Sequence, residues 1–125
     1  MKLLLDTHVL LWWLEDPSIL AHSARIEIAN PRNAAYVSAA SIQEIVIKQE
    51  RSRLSCPDDL LPLLDGNKFS HLPITLHHAL TLRSLPPLHK DPFDRMLLAQ
   101  SRSEDMILVT RDRILMKYGA SFLAA

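Results

Sequence analysis

The chain has 125 residues, 14 Lys+Arg against 14 Asp+Glu, 48% hydrophobic residues and one cysteine, Cys56. This size and apolar content predict a single domain over residues 1–125, and the balanced charge gives no long-range pull on a polyanion. The lone thiol excludes an internal disulfide and suits a reducing cytoplasm, while the two glycines, Gly66 and Gly119, exclude a P-loop or a dinucleotide-binding fingerprint.

The first five residues resemble the start of a signal peptide, but Asp6, Thr7 and His8 interrupt it, so no export is expected. Residues 3–5 form an apolar run that predicts a buried strand, followed by a helix over 8–14. The longest apolar stretch, 9–14, is six residues; a membrane-spanning helix needs about 20. Because 9–14 is apolar on every helical face and includes Trp12 and Trp13, other helices or a second chain should cover it.

A helix over 19–29 should stop at Asn30-Pro31, with a strand at 35–37 and a helix over 42–51 after it. Cys56, in a Ser-Cys-Pro turn with no base nearby, reads as semi-buried filler. A helix over 58–64 should end at Asp65-Gly66, and a strand at 72–74 should precede a helix over 76–84. Asp91-Pro92 has the pattern of an N-cap carboxylate before a first-turn proline, opening a helix over 92–103. The last elements are a strand at 106–109 and a helix over 113–117, with Gly119 placed as its C-terminal glycine. Strands alternating with helices predict an α/β fold of three layers, with a mostly parallel sheet flanked by helices.

In such sheets ligands collect outside the carboxyl ends of the strands. Asp6 closes the first strand and Asp112 stands just past the fourth. Glu44 falls near the start of the helix after the second strand, and Asp94 in the first turn of the helix opened by Pro92. These four acids should share one rim. Crowded carboxylates repel unless protons or a hard cation neutralise them, and an oxygen-only set favours magnesium or manganese over zinc, with phosphoryl chemistry as the natural use. No pair of the six histidines has metal-ligand spacing.

Each acid also suits a purely structural role: Asp6 as a cap of the first helix, Glu44 as the far half of a capping box with Ser41, Asp94 as a cap partner of Asp91, and Asp112 as a cap of the last helix. Of Asp91 and Asp94, capping suits Asp91 better.

Four segments together carry a family resemblance. Leu4-Leu5-Asp6-Thr7-His8-Val9-Leu10-Leu11-Trp12, Val37-Ser38-Ala39-Ala40-Ser41-Ile42-Gln43-Glu44-Ile45, Asp91-Pro92-Phe93-Asp94-Arg95-Met96-Leu97 and Leu108-Val109-Thr110-Arg111-Asp112 resemble, in order, the motifs of PIN domains of the VapC toxin type. The resemblance implies a magnesium-dependent endoribonuclease whose catalytic and metal-binding acids map to Asp6, Glu44, Asp94 and Asp112, with manganese as an alternative ion. It places supporting groups at Thr7, Ser41, Asp91 and Thr110, and a phosphate contact at Arg95 or Arg111. It further implies an RNA substrate, a VapB-type antitoxin and a homodimer; the short apolar stretch and the single cysteine already suggest no membrane and a cytoplasmic location.

Two rival readings remain. A receiver-like phosphoacceptor domain would also be an α/β protein with an acidic magnesium pocket, but such domains carry an acidic pair after the first strand, where Asp6 is followed by Thr7-His8. A PIN fold used only for binding would tend to lose acids, and all four are present here. RNA binding calls for basic surface. The clusters available are Lys48, Arg51 and Arg53, and Arg111, Arg113 and Lys117, each of which also suits an ordinary solvated face.

Overall fold

A computed structural model of the chain describes residues 1–51, 54, 56–119 and 121–125; Arg53 lies outside them. The described strands are β1 (Lys2–Leu5), β2 (Ala34–Ser38), β3 (Ser70–Leu72), β4 (Ile107–Thr110) and β5 (Phe122–Ala124). The described helices are α1 (Thr7–Glu15), α2 (His22–Ala29), α3 (Ala39–Glu50), α4 (Leu60–Gly66), α5 (Leu76–Thr81), α6 (Pro92–Ser103) and α7 (Arg113–Met116).

All strand pairs are parallel and the order is β3-β2-β1-β4-β5. The chain therefore builds outward from β1 through β2 to β3, then returns to lay β4 and β5 on the other side. Receiver proteins share the order 2-1-3-4-5, so this topology removes the receiver reading.

Strand periodicity explains why the sheet is buried on both faces. Leu3 and Leu5 point into one core with Val9, Leu10, Val37, Ile45 and Val109. Leu4 points into the other with Leu97, Leu98, Leu108 and Leu115. An uninterrupted Leu-Leu-Leu run is what two apolar faces require, and helices cover both to give three layers. Leu3, Leu4 and Leu5 are fully buried, each worth about 2 kcal/mol in transfer free energy. No described helix is long and apolar enough to cross a membrane.

Several elements depart from the sequence expectation for identifiable reasons. The third strand lies at Ser70–Leu72 rather than 72–74, because Pro73 has no N–H for the ladder. Pro17–Ile19 forms a separate 3-10 turn, with Asp16 accepting from the Ser18 amide. Leu20 is extended, so α2 starts only at His22. The helix expected from 42 starts at Ala39, where the Ser38 hydroxyl accepts from the Ala40 amide and caps it. Beyond α5, residues Leu82–Ser84 tighten into a 3-10 turn. Gly119 has φ +72° and its amide donates to the Met116 carbonyl at 3.2 Å, ending the turn after α7. The short edge strand β5 had no sequence expectation; its pairing with β4 defines it.

Of the apolar run in α1, Val9, Leu10 and Leu11 are buried within the chain, while Trp12, Trp13 and Leu14 are partly buried. Trp13 donates from Nε1 to Asn67 Oδ1 at 3.0 Å and packs on Phe69. Trp12 lies beneath the Arg111 guanidinium, 4.5 Å from the ring centroid. Cys56 is half-buried and packs on the first core.

Candidate active site

The strand order reverses between β1 and β4, and the loops leaving these two strands open a crevice at the carboxyl edge of the sheet. Asp6 follows β1 and its amide extends the ladder, donating to the Val109 carbonyl at 3.0 Å. It occupies the N-cap position of α1, yet its side chain makes no cap bond. Instead Asp6 Oδ2 accepts from Thr110 Oγ1 at 2.6 Å. The acid is thus free of the capping role the sequence left open.

Glu44 lies in the second turn of α3, since that helix begins at Ala39. A capping box with Ser41 is ruled out, because Ser38 is the cap. Glu44 is buried; Oε2 accepts from Lys48 Nζ one turn on, whereas Oε1 is buried with no hydrogen-bond partner. An unpaired buried carboxylate oxygen costs on the order of a few kcal/mol, so it needs a reason.

Asp91 and Asp94 divide their labour. Asp91 Oδ1 caps α6, accepting from the Phe93 and Asp94 amides at 2.9 and 3.0 Å. That leaves the Asp94 carboxylate in the crevice, 3.2 Å from His89 Nε2. Asp112 does both jobs: Oδ1 caps α7 through the Ile114 and Leu115 amides, and Oδ2 accepts from His89 Nε2 at 2.9 Å.

The four acids expected from the sequence line one open cavity of about 370 Å³, together with Asp91, His8, Trp12, Lys48 and Arg111. The supporting residues are distributed less evenly. Thr110 holds Asp6 directly. Thr7 Oγ1 donates to Ser41 Oγ at 3.0 Å, tying α1 to α3 behind the acids rather than touching one. Arg95 turns away, bonding the Pro86 and Leu82 carbonyls and the Tyr118 hydroxyl, and is not among the cavity residues. Arg111 does line the cavity, held by the Ile19 and Ala125 carbonyls.

Sequence reasoning missed His89 as a site residue. Its signal lay in Leu-His-Lys-Asp-Pro, two positions before the capping Asp91. Lys48 was noted only as part of a basic cluster, although four positions after Glu44 is the spacing of a helical ion pair.

The electrostatics single out the same groups. Burial, then the neighbouring Asp6 and Asp91 charges, push the Asp94 carboxyl up to about 7. Burial also raises Asp6, against the Thr110 hydrogen bond. Asp112 goes the other way: burial works against its charge, but His89 and the Leu115 and Ile114 amides hold it below the usual carboxylate value. The Glu44 hydrogen bond raises Lys48, which stays protonated. At Asp6 and Asp94 burial thus outweighs the help of the neighbouring histidines, whereas Asp112 accepts from His89 and from two backbone amides. A larger groove of about 720 Å³, lined by Ile42, Val46, Leu61 and Leu64 among others, contains no carboxylate and does not supply such chemistry.

Comparison with known proteins gives consistent findings. The family model for the PIN domain matches residues 3–120. Among solved structures, VapBC2 from Rickettsia felis, bound to a DNA fragment from its promoter, is similar with a TM-score of 0.74 and 13% identity over 99% of this chain and 98% of that one. DNA-bound VapBC from Salmonella typhimurium is similar at 0.73 and 16%, over 99% and 98%. A toxin-antitoxin complex from Klebsiella pneumoniae gives 0.65 and 18%, over 96% and 94%. No curated protein matches.

Proposed function

Since the chain belongs to the PIN-domain family, we propose that it is a divalent-metal-dependent endoribonuclease, the toxin member of a toxin-antitoxin pair. The observation that carries this reading is Glu44 Oε1, a buried and unpartnered carboxylate oxygen in the same cavity as Asp6 and Asp94. A fold keeps that arrangement at a cost unless a cation offsets it.

The donor set fits a hard ion. Asp6, Glu44 and Asp94, with Asp112 beside them, would hold Mg²⁺ or Mn²⁺, whose charge draws in a phosphodiester and lowers the pKa of a bound water. The chain's own groups do the rest. Thr110 fixes the rotamer of Asp6, and the Thr7–Ser41 bond keeps the start of α1 on α3, so Asp6 and Glu44 stay in register. Lys48 and Arg111 present the cavity's cationic groups to substrate phosphate, with Arg111 held rigidly by two carbonyls. The overall charge balance is then no obstacle, because the attraction is local.

The choice of RNA follows the four-motif resemblance. The antitoxin follows the similar solved structures, which are toxin-antitoxin assemblies. A homodimer and a cytoplasmic location complete the proposal. The test incubates pure protein with single-stranded RNA, and separately DNA, in Mg²⁺ or EDTA, beside Asp6→Asn, Asp94→Asn and Asp91→Asn. RNA cleavage should need the metal and fall at least about 100-fold in the first two variants. It should persist in Asp91→Asn, because asparagine also caps helices well. Cleavage that survives EDTA, or both site variants, refutes the assignment.

A further inference from the structure

His89 stands between two acids that come from different helices. Its Nε2 is 2.9 Å from Asp112 Oδ2 and 3.2 Å from Asp94 Oδ2, and the three groups can bring ligand atoms within 4.8 Å of one another. On distance alone the trio could be taken for a metal site with a nitrogen ligand. The other face of the ring argues against it. His89 Nδ1 accepts a hydrogen bond from the Asp91 amide at 3.1 Å. A ring whose Nδ1 accepts carries its proton on Nε2. Nε2 is then an N–H donor, with no lone pair to give an ion while that bond is kept.

The segment that carries His89 is itself held. The Leu88 and His89 amides donate to the Tyr118 hydroxyl at 3.1 and 2.9 Å, and that hydroxyl donates to the Pro86 carbonyl at 2.7 Å. Tyr118 is buried in the second core and follows α7, the helix that Asp112 caps. Tyr118 thus pins the segment next to α7 while Asp91 ties it to α6, leaving the His89 side chain only 11% exposed.

We propose that His89 is a positioning residue and not a ligand: its Nε2–H bridges Asp94 and Asp112, and holds their carboxylates converged for the cation. This rests on reading the cavity as a cation site. Groups that orient ligands in this way are typically worth 10- to 100-fold in metal affinity. Tyr118 acts one step further out, through the placement of the histidine segment.

The experiment titrates the purified chain with Mn²⁺, following free ion by electron paramagnetic resonance and the bound ion for nitrogen coupling. Variants are His89→Gln, His89→Leu, Tyr118→Phe and Asp6→Asn, each checked for folding by circular dichroism. Glutamine keeps an N–H at the reach of Nε2, so its affinity should stay within about threefold of the parent. Leucine should weaken Mn²⁺ about tenfold or more, Tyr118→Phe less, and bound Mn²⁺ should show no histidine nitrogen coupling. A histidine coupling in the parent chain, or a loss in His89→Gln as large as in His89→Leu, overturns the proposal. Should His89→Leu fail to fold, the glutamine variant and the coupling still decide it. Asp6→Asn separates the two levels: if it binds Mn²⁺ as well as the parent, the cation-site reading itself fails.

Discussion

Two clusters of buried polar side chains lie within this small α/β fold, and they differ in whether their hydrogen bonds close. In the first, His78 Nε2 pairs with Glu104 at 2.7 Å, and Gln100 donates from Nε2 to His78 Nδ1 and to the Pro73 carbonyl. Gln100 Oε1 in turn accepts from Ser38. His78, Gln100 and Ser38 are almost fully buried and each has partners. This network joins α5, α6 and the end of β2, so it acts as a structural strut. In the second cluster, Asp6, Glu44 and Asp94 are like charges, one oxygen has no partner, and one acid is pushed up to about 7. Burial alone does not separate the two. The balance of donors and charge does: the first cluster closes on itself, while the second leaves like charges together and a buried carboxylate oxygen unpaired.

The largest effect expected from this contrast is on catalysis. Glu44→Gln removes the charge of the orphaned acid at nearly constant volume, and RNA cleavage should fall about 100- to 1,000-fold. Gln100→Leu, an equally buried change, should leave the turnover of the folded protein within about threefold. Equal losses in both would abolish the distinction.

The order reverses for stability. Gln100→Leu strands the Ser38 hydroxyl and His78, and should cost about 2 kcal/mol, read as a lowered denaturation midpoint in urea. Glu44→Gln should cost less, since it relieves repulsion while removing one ion pair with Lys48.

The smallest effect concerns pH. The folded-state carboxyl of Asp94 lies near 7, above its ordinary unfolded value. The folded chain therefore holds this proton more tightly than the unfolded chain. Its stabilising contribution is full below about pH 4 and fades as pH rises toward 7. In EDTA, the unfolding free energy of the parent should decline over that window, by on the order of 1 kcal/mol once solvent screening of this partly exposed group is allowed for, and the melting temperature should fall with it. Asp94→Asn should flatten the decline and melt higher near pH 7. A variant that melts lower at every pH would place Asp94 with the struts.

Much of this was legible in the sequence because it is local. The Leu-Leu-Leu strand, the Asp91-Pro92 cap and the span of α6 follow from side-chain type and spacing over a few residues. So does the α/β alternation that puts Asp6 and Asp112 at strand ends. Residues whose roles depend on distant partners were less legible. The chain's local pattern allowed Asp6 to be a cap, and only contact with Thr110 shows what its carboxylate does. Arg95 sits one position from Asp94 in a motif-like segment, yet it does not line the cavity and instead bonds the Pro86 carbonyl and the Tyr118 hydroxyl.

By itself, then, the sequence determined the class of fold and the sheet edge where the acids gather, since periodicity and charge type are properties of short segments. The tertiary structure alone decided the strand order, the short β5 edge, the unpartnered oxygen of Glu44 and the place of His89 between two helices. Each of these depends on groups far apart in the chain meeting at angstrom distances, and hydrogen-bond satisfaction is settled only once every neighbour is in place.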